Sequence, residues 1–382
     1  MRASSITAFR GLLGIGLLAS TSLGIPHAQQ PLSSDDGLPV TATISVPFFS
    51  ELERLARLVD ISYCVGNTGV SKPFNCVSRC KEFPTLSLVD SWNTGLLMSD
   101  SCGFIAIDHG HRHETSGQDI LEAAEDVGTQ AIYVAFRGTY SITNTVVDLS
   151  TVPQKYVPYP SPDHGDEDPS EVPEQHECHN CTVHLGFFQS WESARKLVLP
   201  ELIALKEKYP SHPIHLVGHS LGGAVACLAA LELKVSMGWS DVVVTTFGEP
   251  RLGNHHTARF VDEVFGLDKD VDLENRSYRR VTHVNDPVPL LPLEEWGYRQ
   301  HAGEIYITKD SLSPSESDIR TCVGDYDKDC SSGDDNLGNR YKLWELFFAH
   351  RDYFWRLGLC VPGGDPWNWG RDTYDSIGED EL

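Results

Sequence analysis

The stretch that most restricts the fold of this chain is Ile214–Leu233, IHLVGHSLGGAVACLAALEL. An apolar run, Ile214–Val217, ends in Gly218-His219-Ser220-Leu221-Gly222 and passes at once into small and apolar residues. The pattern reads as a buried strand, a tight turn and a helix. So tight a turn tolerates little side chain beside Ser220, hence Gly218 and Gly222. Gly223, Ala224 and Ala226 let the helix pack close to a sheet. In an open α/β sheet reactive groups gather at the carboxyl ends of the strands. A helix N-terminus aimed at Ser220 also favours negative charge developing there. The unit demands a sheet with helices against it and marks Ser220 as a candidate nucleophile.

The rest of the chain supplies that sheet. Ala131–Phe136, Val242–Phe247, Arg280–Val284 and Ile305–Thr308 read as further buried strands. Helical spacing of apolar residues marks Ser50–Ile61, with Leu52, Leu55, Ala56 and Val59 on one face; Ser190–Tyr209 and His256–Phe265 also read as helices. Strands alternating with helices give an α/β class with a mostly parallel sheet. Pro153–Glu177, with six prolines and many acids, reads as a long exposed loop.

The first 28 residues read as an export signal. Arg2 and Arg10 flank the start, Gly11–Ser20 is a short apolar core, and cleavage points lie after Gly24 or Ala28. Residues 29–47 read as an N-terminal arm, 48–360 as one catalytic domain, and 361–382 as a loosely held acidic tail. No later run is apolar and long enough to span a bilayer, so the chain is expected not to be an integral membrane protein. A net charge of −24 argues against nucleic acid or an anionic membrane as partner, but not against a neutral lipid surface. Ten cysteines fit an exported protein, and Cys178-x-x-Cys181 reads as a small disulfide loop rather than a zinc site. Asn180 and Asn275 open glycosylation sequons. The terminal EDEL is similar to a return signal for the endoplasmic reticulum lumen but starts with the wrong charge, so secretion is the expected fate.

A serine hydroxyl needs a histidine to take its proton and an acid to orient that histidine, here in the order Ser, acid, His. Asp286, where a strand stops at a proline, and Glu249, in FGEPR, both end strands after Ser220. A structural alternative for Glu249 is pairing with Arg251. Of the later histidines, His301 lies in a polar turn and His350 follows the amphipathic run KLWELFFAHRDYF.

GHSLGG, FRGT, TFGEPRLGN, RVTHVNDPVPLLP and AH-x-x-YF together resemble the motifs of the fungal secreted class 3 lipases, whose frame the type A feruloyl esterases share. The resemblance runs from about Leu52 to Cys360. It implies an α/β-hydrolase fold, with Ser220 as nucleophile, Asp286 as acid and His350 as base. It also implies an oxyanion hole from the N–H groups of Leu221 and Thr139, and disulfides Cys64–Cys360, Cys76–Cys80, Cys178–Cys181 and Cys322–Cys330. The same resemblance implies a lid over Ser141–Leu149, where Ile142, Val146, Val147 and Leu149 form an apolar stripe.

The expected reaction is hydrolysis of acylglycerol esters, as by a triacylglycerol lipase, by a monomer at a lipid–water interface, with no cofactor and no metal. One alternative is feruloyl ester cleavage, which the Thr-x-Ser-x-Thr-Asn pattern of residues 139–144 resembles; another is a catalytically inactive binder. His109, His111 and His113 form an alternating cluster that reads as a solvated loop rather than a metal site.

Overall fold

The computed structural model describes residues 44–95, 99–110, 130–139, 153–155, 178–267, 273–333 and 348–370. Its strands are β1 (Leu86–Asn93), β2 (Cys102–Asp108), β3 (Ala131–Phe136), β4 (Pro153–Lys155), β5 (Thr182–His184), β6 (Ile214–His219) and β7 (Val242–Phe247). They continue with β8 (Gly253–Asn254), β9 (Tyr278–His283), β10 (Tyr298–Arg299), β11 (Glu304–Ile307), β12 (Ile319–Thr321), β13 (Asp352–Tyr353) and β14 (Trp355–Arg356). The helices are α1 (Val46–Ile61), α2 (Leu185–Lys208), α3 (Leu221–Val235) and α4 (His255–Phe265).

An eight-stranded sheet runs in the order β1-β2-β3-β6-β7-β9-β11-β12. From β3 to β11 every pairing is parallel, and β1, β2 and β12 are added antiparallel at the edges. The parallel strands are buried on both faces because helices cover both; β3, β6 and β7 are mainly apolar, whereas β9 also buries Arg279, Arg280, Thr282 and His283. On β3, Ile132, Val134 and Phe136 enter the core shared with α2, α3 and α4. Ala131, Tyr133 and Ala135 enter the core shared with α1. A fully buried side chain such as Phe136 contributes about 2–3 kcal/mol.

Helix α1 starts earlier than its apolar spacing suggests. The Ser45 hydroxyl caps it by accepting from Phe48 N at 3.2 Å, and Glu274 binds Ser45 in turn. Buried Ile44 joins the same core, so the domain reaches back into the expected arm. The buried disulfide Cys64–Cys360 fastens the region after α1 to the segment after β14. Disulfides Cys76–Cys80, Cys178–Cys181 and Cys322–Cys330 are local, and the Cys178–Cys181 bond removes both of its thiolates from any zinc site.

Two expected irregular regions are partly ordered. Pro153–Lys155 forms β4, antiparallel to β5 at the edge of a separate four-stranded sheet in the order β10-β8-β5-β4; residues 156–177 lie outside the described residues. Residues 361–370 are docked. Asp365 takes Arg351 Nη2 at 2.7 Å, and Asn368 brackets Arg356 through its N–H and C=O at 3.0 Å each. These polar anchors, invisible to hydropathy, hold a segment whose composition reads as a tail. His109 is exposed and bonds Ser87, while His111 and His113 lie outside the described residues.

Candidate active site

Ser220 stands between β6 and α3 with φ 57° and ψ −130°. This is a strained setting for a residue with a Cβ, and function is the usual reason for keeping it. The glycines show why the turn closes. A Cβ on Gly218 would lie 2.2 Å from Gly222 O, and one on Gly222 would lie 2.3 Å from Phe136 O. The Ser220 N–H donates to Phe247 O at 2.9 Å, tying the bend to the end of β7.

His350 and Asp286 come together from distant segments. His350 Nδ1 lies 3.0 Å from Asp286 Oδ1 and 2.8 Å from Oδ2. Asp286 also accepts from Val288 N at 2.9 Å and from the Tyr353 hydroxyl. Burial pushes the Asp286 carboxyl up, but His350, Tyr353 and Val288 outweigh it and hold it below the usual carboxylate range. A carboxylate only accepts, so Nδ1 carries hydrogen, and in the neutral ring Nε2 then presents a lone pair. Among the described residues, Ser220 Oγ and His350 Nε2 are both buried without a hydrogen-bond partner. A hydroxyl that can donate and an imidazole that can accept are what a proton transfer needs. Such bonds often tighten only with substrate in place.

His219 braces this arrangement. Its Nε2 faces the His350 carbonyl oxygen at 2.7 Å and so carries the hydrogen, leaving Nδ1 to accept from the Tyr63 hydroxyl at 2.5 Å. Burial first, and the neighbouring His350 second, push its pKa down to about 3, so His219 is a neutral strut. Gly248, at φ 59°, lies against the pair: a Cβ there would be 2.9 Å from His350 Cε1 and 3.0 Å from Asp286 Oδ2. On the other flank, a Cβ on Gly138 would be 2.8 Å from Ser220 Cβ, which puts Thr139 at the edge of the same site. Leu221 opens α3, where the first N–H groups have no partner within the helix.

Glu249 is not at His350. It bonds Thr246, Tyr278 and His301 instead. Arg251 turns to Leu290 O, Pro292 O and Glu294, so the Glu249–Arg251 pairing does not form. His301 is buried (1% exposed), unlike the polar turn its neighbours suggest, because Ala302, Glu249 and Tyr278 enclose it. Ile142, Val146, Val147 and Leu149 lie outside the described residues. Tyr63 and Tyr353 are supports that charge and spacing do not announce.

Residues 133–296 match the family model described as Lipase (class 3). The chain is 59% identical to secreted mono- and diacylglycerol lipase 2 of Gibberella zeae, over 95% of this chain and 95% of that one. The chain belongs to the class 3 lipases. Lipase A of Sodiomyces alcalophilus is 56% identical, over 96% of this lipase and 94% of its own length. Among solved structures, Lip2 lipase from Yarrowia lipolytica matches with a TM-score of 0.67 and 30% identity, covering 84% of this class 3 lipase and 97% of Lip2. The α/β-hydrolase frame is common to them, and lipases are carboxylic ester hydrolases. Among the described residues of this lipase no helix is long and apolar enough to cross a membrane.

Proposed function

We propose that this chain is a secreted serine hydrolase that cleaves acyl esters of glycerol, mono- and diacylglycerols foremost. Ser220 is the nucleophile. His350 Nε2 takes the hydroxyl proton as Oγ attacks the acyl carbonyl, and Asp286 holds the imidazole in the required tautomer and balances its charge. The tetrahedral oxyanion is received by the N–H groups of Leu221 and Thr139. Collapse releases the glyceryl alcohol with the proton from His350. Water then repeats the sequence on the acyl-enzyme and frees the fatty acid.

The observation that carries this reading is His350 fastened to Asp286 through Nδ1 while Nε2 and Ser220 Oγ stay unpaired in one buried site. The name of the 59% identical relative supports partial glycerides over triacylglycerols. Relatives named secreted support export through residues 1–28. Asn275 and Asn180 are both exposed and suit glycan attachment. A monomer working at a neutral lipid–water interface fits the charge of −24.

The test is turnover of monoacyl, diacyl and triacyl glycerols, phospholipid and a feruloyl ester by the wild type and Ser220→Ala, alongside fluorophosphonate labelling. The expected result is partial-glyceride hydrolysis and labelling that both vanish in Ser220→Ala. Retained turnover in that variant, or preference for the feruloyl ester, would overturn the reading.

A further inference from the structure

Behind α3 lies a second group of buried polar side chains that ester cleavage as described does not use. Glu249 is 0% exposed and follows Gly248 at the end of β7; His301 precedes β11. Glu249 Oε2 accepts from the Thr246 hydroxyl at 2.6 Å and the Tyr278 hydroxyl at 2.9 Å. Its other oxygen, Oε1, faces His301 Nε2 at 3.3 Å. His301 Nδ1 is 2.7 Å from Ala302 O, an atom that only accepts, so Nδ1 carries hydrogen. Nε2 and Oε1 therefore share one proton. Without it, two lone pairs would oppose each other in a site closed to water, at a prohibitive cost.

The surroundings fix both partners. Asp262 Oδ1 accepts from Ala302 N at 2.9 Å, Arg280 Nη2 donates to His301 O at 3.2 Å, and Gln300 donates to Glu249 O at 3.2 Å. Cys227 Sγ, on α3, lies within 4.8 Å of the facing Glu249 and His301 atoms, a set with the right chemistry for a cation. Two hydroxyls already occupy Oε2, however, and burial pushes the Cys227 thiol up and keeps it neutral. Glu249 and His301 thus have partners for every polar side-chain atom.

Its position gives it a use. A Cβ on Gly223, in the first turn of α3, would lie 3.1 Å from Glu249 Cβ. One residue back, Gly248 abuts His350 and Asp286; two back, Phe247 O holds Ser220 N. Residues 247–249 thus touch the nucleophile, the base and the acid on one side, and are fastened through Glu249 on the other.

We infer that the Glu249–His301 pair is a positioning device for ester hydrolysis, whose shared proton locks the 247–249 turn and so sets Ser220 and His350 in register. The inference rests on the reading of Ser220 and His350 as nucleophile and base. Reacting groups misplaced by about 1 Å lose on the order of 100-fold in rate. His301→Asn retains a donor for Ala302 O and deletes Nε2. Glu249→Gln still accepts from both hydroxyls and offers an N–H to a neutral His301.

The assay is kcat and KM on a soluble short-chain ester, p-nitrophenyl butyrate, per active site titrated with a fluorophosphonate. His301→Asn is expected to lose about 10- to 100-fold in kcat with KM within twofold. Glu249→Gln stays within about threefold of wild type, and the double variant His301→Asn/Glu249→Met is no worse than the worse single one. Where His301→Asn yields no folded protein, Glu249→Met cuts the same link at similar volume and is read the same way. Wild-type kcat per site in the link-breaking variant, an effect on KM alone, equal loss in Glu249→Gln, or losses that multiply in the double variant would each overturn the inference. Turnover surviving Ser220→Ala would instead overturn the assignment on which it rests.

Discussion

Gly248→Ala is the most searching single perturbation of the candidate site. The glycine has φ 59°, and a Cβ there would lie 2.9 Å from His350 Cε1, 2.9 Å from the Tyr353 hydroxyl and 3.0 Å from Asp286 Oδ2. Ordinary contact begins at 3.4 Å, so each neighbour must retreat by roughly half an ångström. The left-handed backbone costs about 1–2 kcal/mol and the overpacking about 1–3 kcal/mol, for a total of about 2–5 kcal/mol. In a domain of this size that lowers the thermal midpoint by about 3–7 °C. The rate suffers more than the fold, because the displaced atoms belong to the proposed base, its proposed acid and that acid's support. A kcat loss of about 10- to 100-fold is expected, with KM little changed. The measurement is kcat on a soluble ester per titrated active site, together with a thermal scan. A variant with wild-type kcat and an unshifted midpoint would refute the reasoning, since no neighbour could then have moved.

Tyr353→Phe removes a charge-assisted donor from Asp286; stability is expected to fall by about 2 kcal/mol and kcat by about tenfold, read by denaturant titration and steady-state kinetics. Replacing Cys64 and Cys360 together by Ala opens a loop of 296 residues, for which chain entropy sets a loss of up to about 6 kcal/mol, or about 9 °C in the thermal midpoint under non-reducing conditions. Stability should also fall with acid. His219 sits at about 3 in the fold, against about 6.5 when unfolded, so the unfolded chain binds the extra proton as pH drops below 6.5, and the loss reaches several kcal/mol near pH 3. Asp60 opposes part of this between pH 4 and 6, because burial raises its carboxyl to about 6 and the folded state then binds the extra proton. Unfolding midpoints that stay flat from pH 7 to 4 would contradict the net acid loss.

The parallel strands β3, β6 and β7 were legible because helices on both faces make them short, mainly apolar runs, and β9 and β11 were legible through their Val, Ile, Thr and Tyr residues. The antiparallel strand β1, LSLVDSWN, alternates buried and part-buried residues, and a register shift between Leu88 and Asp90 breaks even that pattern. Ser220 announces itself through its glycines, whereas Asp286 and Glu249 both follow strands and only the family resemblance separates them. The burial of Glu249 and His301 is decided by Thr246, Tyr278 and Ala302, partners that adjacent residues cannot reveal. The supports Tyr63 and Tyr353 are hidden for the same reason, and so is the docking of residues 361–370 through Asp365 and Asn368.

The bond between Cys64 and Cys360 also has a redox meaning. It lies ten residues beyond His350 in sequence, so it ties the segment that carries the candidate base to the one that follows α1. In a reducing compartment both thiols would be released and that tie would be lost.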